Sequence, residues 1–326
     1  MSILVTGSAG HLGEALVRRL SEQGVACAGL DTKPSSFTHH VASITDRAAV
    51  RAAMTGRLAV IHAAALHKPH IATHAHAEFV DVNVAGTLLL LEEAARAEVS
   101  RFVYTSTTSA FGAALKSAAD EPAGWITEEV AAIPKNIYGV TKSAAESLCE
   151  MFVRQGKLSA IVLRTARFFP EEDDDAAIRS GYALANAQAN EMLYRRADLD
   201  DVVEAHLAAV KAAPRIGFAR YIISATTPFD RTELALLGRD AGRVVRRHFP
   251  EYAALYAARG WRMFPRIDRV YVNDRARAAL DWRPRYDFRH VLDCLKRGED
   301  FRSPLARAVG EKGYHATRFA EGPYPV

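Results

Sequence analysis

The sequence predicts an α/β fold, a doubly wound parallel sheet carrying a smaller C-terminal subdomain, and three observations predict it. Short apolar runs of strand type alternate with helical patterns along the first half of the chain. A turn with three regularly spaced glycines follows the first run and opens the first helix. After residue 163 the pattern changes to an acidic knot (Glu171, Glu172, Asp173, Asp174, Asp175), then Ala-rich helix, then Arg- and aromatic-rich sequence.

Strands are expected over residues 3–6, 25–30, 59–63, 101–105, 160–163 and 221–224, each a short apolar run bounded by polar or turn residues. Helices are expected between them over 12–23, 46–54, 80–97 and 138–155, the second opening on Thr45 or Asp46 as its N-cap. Such alternation places crossover helices on both faces of a parallel sheet. Any second domain is woven from several C-terminal pieces, because neither an internal repeat nor a low-complexity linker interrupts the chain.

With 326 residues, 49% of them hydrophobic and 25% charged, the chain has globular composition and length for a large core, which excludes a disordered tail or a fibre. Its formal charge of +4 is too small to make nucleic acid the expected partner. That charge is unevenly placed: residues 239–302 hold 16 basic and 9 acidic side chains, which suits either an anionic ligand or a solvated Arg-rich surface. Cys27, Cys149 and Cys294 lie far apart, which draws neither a zinc ribbon nor a disulfide framework and implies a reducing compartment. No apolar run approaches membrane-spanning length and Met1 leads straight into a strand, so the expected location is the cytoplasm, with no membrane partner.

The glycine turn reads Thr6-Gly7-Ser8-Ala9-Gly10-His11-Leu12-Gly13. Gly7 permits the tight turn, Gly10 lets a pyrophosphate approach the backbone, and Gly13 lets helix and strand pack closely. Unpaired N–H groups at the helix start then face the phosphates. This is the Rossmann arrangement for a dinucleotide. Asp31 ends the second strand, where a carboxylate accepts hydrogen bonds from both ribose hydroxyls and repels a 2′-phosphate. NAD is therefore the expected cofactor, with Lys33 two residues later softening the discrimination against NADP.

The ordered set of Gly7-x-x-Gly10-x-x-Gly13, His62-Ala63-Ala64-Ala65, Asn83-Val84-Ala85-Gly86-Thr87, Thr105 to Gly112, and Tyr138-Gly139-Val140-Thr141-Lys142 resembles the extended short-chain dehydrogenase/reductases, and among them the NAD-dependent sugar epimerase/dehydratase group. The resemblance covers about the first 165 residues, and Ala279-Leu280-Asp281-Trp282-Arg283-Pro284 is similar to a C-terminal motif of the same group. It implies a dinucleotide-binding domain over residues 1–166, with a returning strand near 219–225, and a substrate-binding subdomain over most of 167–326. It also implies Ser43 and Ile44 near the adenine, Ala63 and Ala64 along the dinucleotide, and Asn83 holding backbone close to the active site. Ser43 departs from the Asp common there, which weakens that contact. Leu88 to Leu91 and the helix from Tyr138 look like the two helices that pair across a homodimer in this group; packing within one chain is the competing account.

The chemistry of the pair stands on spacing as well. Tyr138 and Lys142 share a helix face, and an ammonium beside a phenol favours phenolate. Bringing a phenol from about 10 to near 7 takes about 4 kcal/mol of differential stabilisation, which Lys142 and a positive nicotinamide share. Tyr138 then removes a hydroxyl proton as hydride leaves the same carbon, with Thr107 hydrogen-bonding the substrate oxygen.

Sugar 4,6-dehydratases of the group resemble one another in carrying an Asp-Glu pair after the catalytic Thr, whereas Thr107 is followed by Thr108 and Ser109. Neither hydroxyl protonates a leaving group efficiently, so dehydration is disfavoured. Decarboxylation, which in the group usually carries a Glu there, is disfavoured too. Three readings remain: an epimerase of a nucleotide-activated sugar that returns the hydride, a sugar or alcohol dehydrogenase or reductase with net transfer, and a non-catalytic dinucleotide sensor. The intact Thr107, Tyr138 and Lys142 set speaks against the sensor.

Arg167 stands where nucleotide-sugar enzymes usually place an Asn near the diphosphate. It either binds phosphate, with Arg266 or Arg269 as second contact, or is neutralised by the acids that follow it. His62, His67, His70, His74 and His76 have no fixed ligand spacing and read as strand and loop histidines, so no metal is expected. Phe168, Phe169, Trp261, Phe264 and Tyr271 either stack on a base or sugar ring or fill the core.

Overall fold

The computed structural model of the protein describes residues 2–115, 121–315 and 319. Seven parallel strands form the central sheet: β1 (Ser2–Thr6), β2 (Ala26–Asp31), β3 (His40–Val41), β4 (Ala59–His62), β5 (Arg101–Thr107), β7 (Ser159–Thr165) and β8 (Phe218–Ile223). They stand in the order β3-β2-β1-β4-β5-β7-β8. The order reverses between β1 and β4, whose C-terminal residues Thr6 and His62 are register partners, so a crevice opens there. A second, two-stranded sheet pairs β6 (Gly124–Ile126) in parallel with β9 (Arg269–Tyr271).

Both faces of the sheet are apolar, as parallel strands require. Ile3, Val5, Ile61, Val103, Ile161 and Leu163 point to one face, where helices His11–Glu22, Leu199–Ile216 and Asp274–Leu280 cover them. Leu4, Val60, Phe102, Tyr104 and Val162 point to the other, under helices Arg47–Met54, Gly86–Arg96 and Ile137–Arg154. Asp46 caps the second of the predicted helices, its carboxylate accepting from the N–H groups of Ala48 and Ala49. A third core lies between helices Leu184–Glu191, Ala241–His248, Tyr252–Ala257 and Phe288–Arg297, where Leu193, Phe249, Tyr256, Phe288 and Val291 interlock. The C-terminal half is thus shared: β8 and helices Leu199–Ile216, Asp274–Leu280 and Pro304–Val309 belong to the sheet and its cover, whereas helices Leu184–Glu191, Ala241–His248, Tyr252–Ala257 and Phe288–Arg297 build this separate core.

All six expected strands and four expected helices are present, with two differences. Strands β3, β6 and β9 escape sequence reading because two or three residues are too few to show a period. The helix expected over 80–97 begins as a π-turn, Val80–Ala85, before continuing as Gly86–Arg96. The wider turn carries the buried Asn83, a recurrent use of π-bulges near functional sites.

Helix Leu199–Ile216 is tied to the sheet by His206, whose buried ring lies 2.7 Å from Val202 O and 2.9 Å from Thr105 Oγ1. The carbonyl can only accept, so Nδ1 carries the proton and Nε2 accepts from the threonine hydroxyl. Burial lowers this ring to about 4. The unfolded chain takes up a proton below about 6.5 whereas the folded ring resists until about 4, so stability is lost as pH falls through that window. His206 alone contributes a loss on the order of 2 kcal/mol by pH 5. Urea midpoints measured at pH 7 and pH 5 are expected to drop accordingly, and a His206→Gln variant, less stable at pH 7, is expected to lose that part of the slope.

Candidate active site

The crevice between β1 and β4 continues into a cavity of about 770 Å³ above the C-terminal ends of the strands. Its floor is the glycine turn. Gly7 has φ +75°, and a Cβ there would lie 2.7 Å from Ala64 N; a Cβ on Gly13 would lie 1.9 Å from Gly7 O. Only bare backbone fits at either position, and the result is a sharp turn that delivers Gly10, His11 and Leu12 to the cavity wall at the start of a 12-residue helix.

Asp31 lines the same cavity and is oriented by two backbone donors, Ala9 N at 3.0 Å and Lys33 N at 2.9 Å. Ser43 and Ile44 line it beyond β2; the Ser43 hydroxyl is 2.7 Å from Thr45 Oγ1, and Ile44 is buried against Gly86. Ala63 and Ala64 line the cavity directly against the glycine turn, and Ala64 N donates to Thr6 Oγ1. Asn83 does not line the cavity. It acts as a staple behind it: its Oδ1 accepts from Leu66 N at 2.8 Å, and its Nδ2 donates to Leu66 O and to Thr141 Oγ1 on helix Ile137–Arg154.

Tyr138 and Lys142 project from that helix into the cavity, and Thr107 reaches it from the end of β5. Asn136 caps the helix, accepting from Gly139 N, and so fixes the first turn, which carries Tyr138. Burial dominates the electrostatics. It pushes the Tyr138 phenol up to about 12, opposed by a hydrogen bond with Thr107, and brings the Lys142 ammonium down to about 7, opposed by Glu146 one turn further along. The Lys142 ammonium also lies 4.2 Å from the centre of the Tyr104 ring, a cation–π contact that keeps it aligned with the sheet.

The three arginines expected at the substrate end are treated differently. Arg167 lines the cavity, but its two terminal nitrogens are engaged by Asp173 at 2.9 Å and Asp174 at 2.7 Å, the neutralised alternative. Arg269 lines it and pairs with Asp268 at 3.2 Å through one nitrogen. Arg266 is not among the lining residues. Phe168, Phe169 and Tyr271 border the cavity, whereas Trp261 and Phe264 pack on Tyr256 and Tyr182 in the C-terminal core.

Sequence reasoning missed three contributors. His67, read as a loop histidine, stands with its ring 5.8 Å from that of Tyr138 and is lowered to about 3 by burial, which keeps it neutral. Arg195 reaches the cavity from the segment after helix Leu184–Glu191. Residues 312–314 also line it: Lys312 N is 3.1 Å from His11 Nε2, Gly313 N donates to Glu171 Oε1, and the Lys312 ammonium pairs with Glu14. The Tyr314 ring sits about 6 Å from those of His11, His67, His70 and Phe169. No local pattern links residue 312 to residue 11. Among the described residues no helix is long and apolar enough to cross a membrane, and no cluster of three or more potential metal ligands forms.

The model of the NAD dependent epimerase/dehydratase family matches residues 3–217. A UDP-glucose 4-epimerase of Erwinia amylovora is 28% identical over 182 residues, 50% of this chain and 52% of that protein. One of Rhizobium leguminosarum bv. trifolii is 26% identical over 325 residues, 89% of this chain and 95% of that protein. Against several curated relatives the chain spans only about half of their length or less. Among solved structures, a short-chain dehydrogenase/reductase superfamily protein from Agrobacterium tumefaciens with bound NAD superposes with a TM-score of 0.64 at 24% identity, over 91% of this chain and 98% of that one, and shares the fold.

The geometry of Asp31 yields a test. Replacing Asp31 by Asn removes the charge while keeping the shape, and is expected to weaken NADH binding about tenfold, the size of one charge-assisted hydrogen bond. NADPH binding is expected to hold or improve. Fluorescence titration of both reduced dinucleotides checks the ratio.

Proposed function

The chain belongs to the NAD dependent epimerase/dehydratase family, and on that premise we propose that it is an NAD-dependent sugar epimerase, drawing a hydride from a hydroxyl-bearing carbon and returning it to the other face. The observation that carries this reading is the convergence of Thr107, Tyr138 and Lys142 on the cavity whose floor is the glycine turn. The residues fit the dinucleotide: the turn leaves no room for a Cβ at Gly7 or Gly13, and Asp31 is pre-oriented by Ala9 and Lys33.

Bound NAD supplies a hydride acceptor and a positive ring. The protein does the rest. Gly10, His11 and Leu12 bind the diphosphate at the helix start, and Asp31 binds the adenosine ribose. Ser43 and Ile44 flank the adenine, with Ala63 and Ala64 against the dinucleotide. Thr107 Oγ1 orients the substrate oxygen, and the Tyr138 phenol takes its proton and gives it back. Because burial, opposed by the Thr107 hydrogen bond, leaves that phenol at about 12, the base form depends on positive charge nearby, which the ammonium form of Lys142 provides.

The names of the relatives support a nucleotide-activated sugar as substrate. One observation favours a second reading, net oxidation of a smaller sugar: Arg167, expected at the diphosphate, is already engaged by Asp173 and Asp174. A cytoplasmic location is in keeping with the three free cysteines. A homodimer is in keeping with Val140 and Met151, exposed on the helix that carries Tyr138, whereas Leu90 and Leu91 of the other expected helix are buried in the chain's own core.

Tyr138→Phe is expected to lower turnover by a factor of about 10²–10⁴, the usual contribution of a general acid–base group, with NAD affinity almost unchanged. Unaltered turnover would remove Tyr138 from the reaction. Product analysis beside NADH absorbance separates the readings: a new epimer without NADH accumulation supports the epimerase, steady accumulation the dehydrogenase.

A further inference from the structure

We infer that residues 312–315 form a clasp that ties the two walls of the crevice together around the bound dinucleotide, and that NAD enters and leaves only when this clasp opens. The clasp needs only the dinucleotide in the crevice, whichever sugar reaction follows, and so goes beyond the reading above.

One wall of the crevice is the start of helix His11–Glu22, and the other is the loop that leaves β4. They meet at their base, where a Cβ on Gly7 would lie 2.7 Å from Ala64 N. On the assignment above, the dinucleotide runs between them from Asp31 at the adenosine end to Tyr138 and Lys142 at the nicotinamide end. Residues 312–314 line that same cavity.

The segment is bonded to both walls. At its first end the Lys312 ammonium pairs with Glu14, and Lys312 N and Gly313 N each donate to Glu171 Oε1 at 3.2 Å, the oxygen that His11 Nε2 approaches at 2.8 Å. At its other end His315 Nε2 lies 3.0 Å from Pro69 O, and because a carbonyl only accepts, that nitrogen carries the proton. The His70 ring, whose Nδ1 accepts from His67 N at 2.8 Å, hydrogen-bonds the Tyr314 backbone. Between the two ends the Tyr314 ring stands 6.2 Å from that of His11 on one wall, and 5.9 and 5.8 Å from those of His67 and His70 on the other. Together with the contact of Gly7 and Ala64, these links close a circuit of protein that runs from glycine turn to clasp to the loop after β4. A diphosphate seated at Gly10, His11 and Leu12 falls within it.

The clasp is weak enough to open. Its four residues belong to none of the apolar cores, so it parts at lower free energy than the helices behind it. A clasp shut about nine-tenths of the time still slows release about tenfold. Because it closes on the protein's own groups, it slows entry and release alike, and the equilibrium affinity moves less than either rate.

Full-length protein loaded with NADH is mixed with excess NAD in a stopped-flow fluorimeter, and the loss of bound-NADH fluorescence gives the release rate. A Lys312→Ala, His315→Ala double variant removes one bond at each end and is expected to release NADH about tenfold faster than the parent. Its Kd for NADH, from fluorescence titration, is expected to change by less than about threefold, which also reports that the variant is folded. Release within about threefold of the parent's rate would overturn the clasp, leaving the segment as an inert wall. A Kd that weakens as much as release accelerates would overturn it too, making the segment an ordinary part of the binding surface. No sugar enters either measurement, so a failed clasp leaves hydride transfer standing, and an absence of sugar turnover leaves the clasp standing.

Discussion

Two backbone contacts underlie the rest of the site: a Cβ at Gly13 would lie 1.9 Å from Gly7 O, and one at Gly7 would lie 2.7 Å from Ala64 N. Because both positions are bare, the first helix starts directly above β1, and the loop leaving β4 lies against the same turn. This one close approach places Asp31 within reach of Ala9 N, lets Thr6 Oγ1 accept from Ala64 N, and opens the crevice where strand order reverses. The Asn83 staple then carries the constraint across to helix Ile137–Arg154, so the helix with Tyr138 and Lys142 is referenced to the same loop.

Around that frame the molecule contrasts groups whose bonding is complete with groups whose bonding is not. Glu146 is buried and answered by Arg164, Arg220 and Ser106, and Arg167 is held by two carboxylates. Such ion pairs offset the desolvation of their own charges and fix geometry more than they stabilise. Tyr138 and Lys142 are left with burial as the dominant influence, displaced in opposite directions toward their neutral forms. That is the condition in which a neighbouring positive charge has the largest effect on a proton, because the low-dielectric surroundings screen it least.

The sheet and the cofactor side were legible because their signals are local. Periodicity over four to seven residues identified the strands of the sheet other than β3, and the spacing Gly7, Gly10, Gly13 followed by Asp31 lies within one β–α–β unit. Tyr138 and Lys142 are one helical turn apart, so spacing alone put them on one face. Arg167 was legible only as an alternative, since the sequence showed the acids beside it but not that Asp173 and Asp174 turn back onto it. Arg195, His67 and residues 312–314 were not legible at all: each reaches the cavity through tertiary packing between distant segments, and Lys312 meets a residue 301 positions away. Short strands such as β6 and β9 form for the same reason, from a partner elsewhere in the chain rather than from an intrinsic pattern.

The segment around Tyr314 differs in kind from the other walls. The floor and sides are sheet, helix and crossover loop, backed by continuous apolar cores, whereas this wall rests on a few polar bonds and ring edges at the surface. Portions of a protein with few buried apolar contacts open at lower free energy than its core. Of the cavity's walls, this one is therefore expected to open at the least cost.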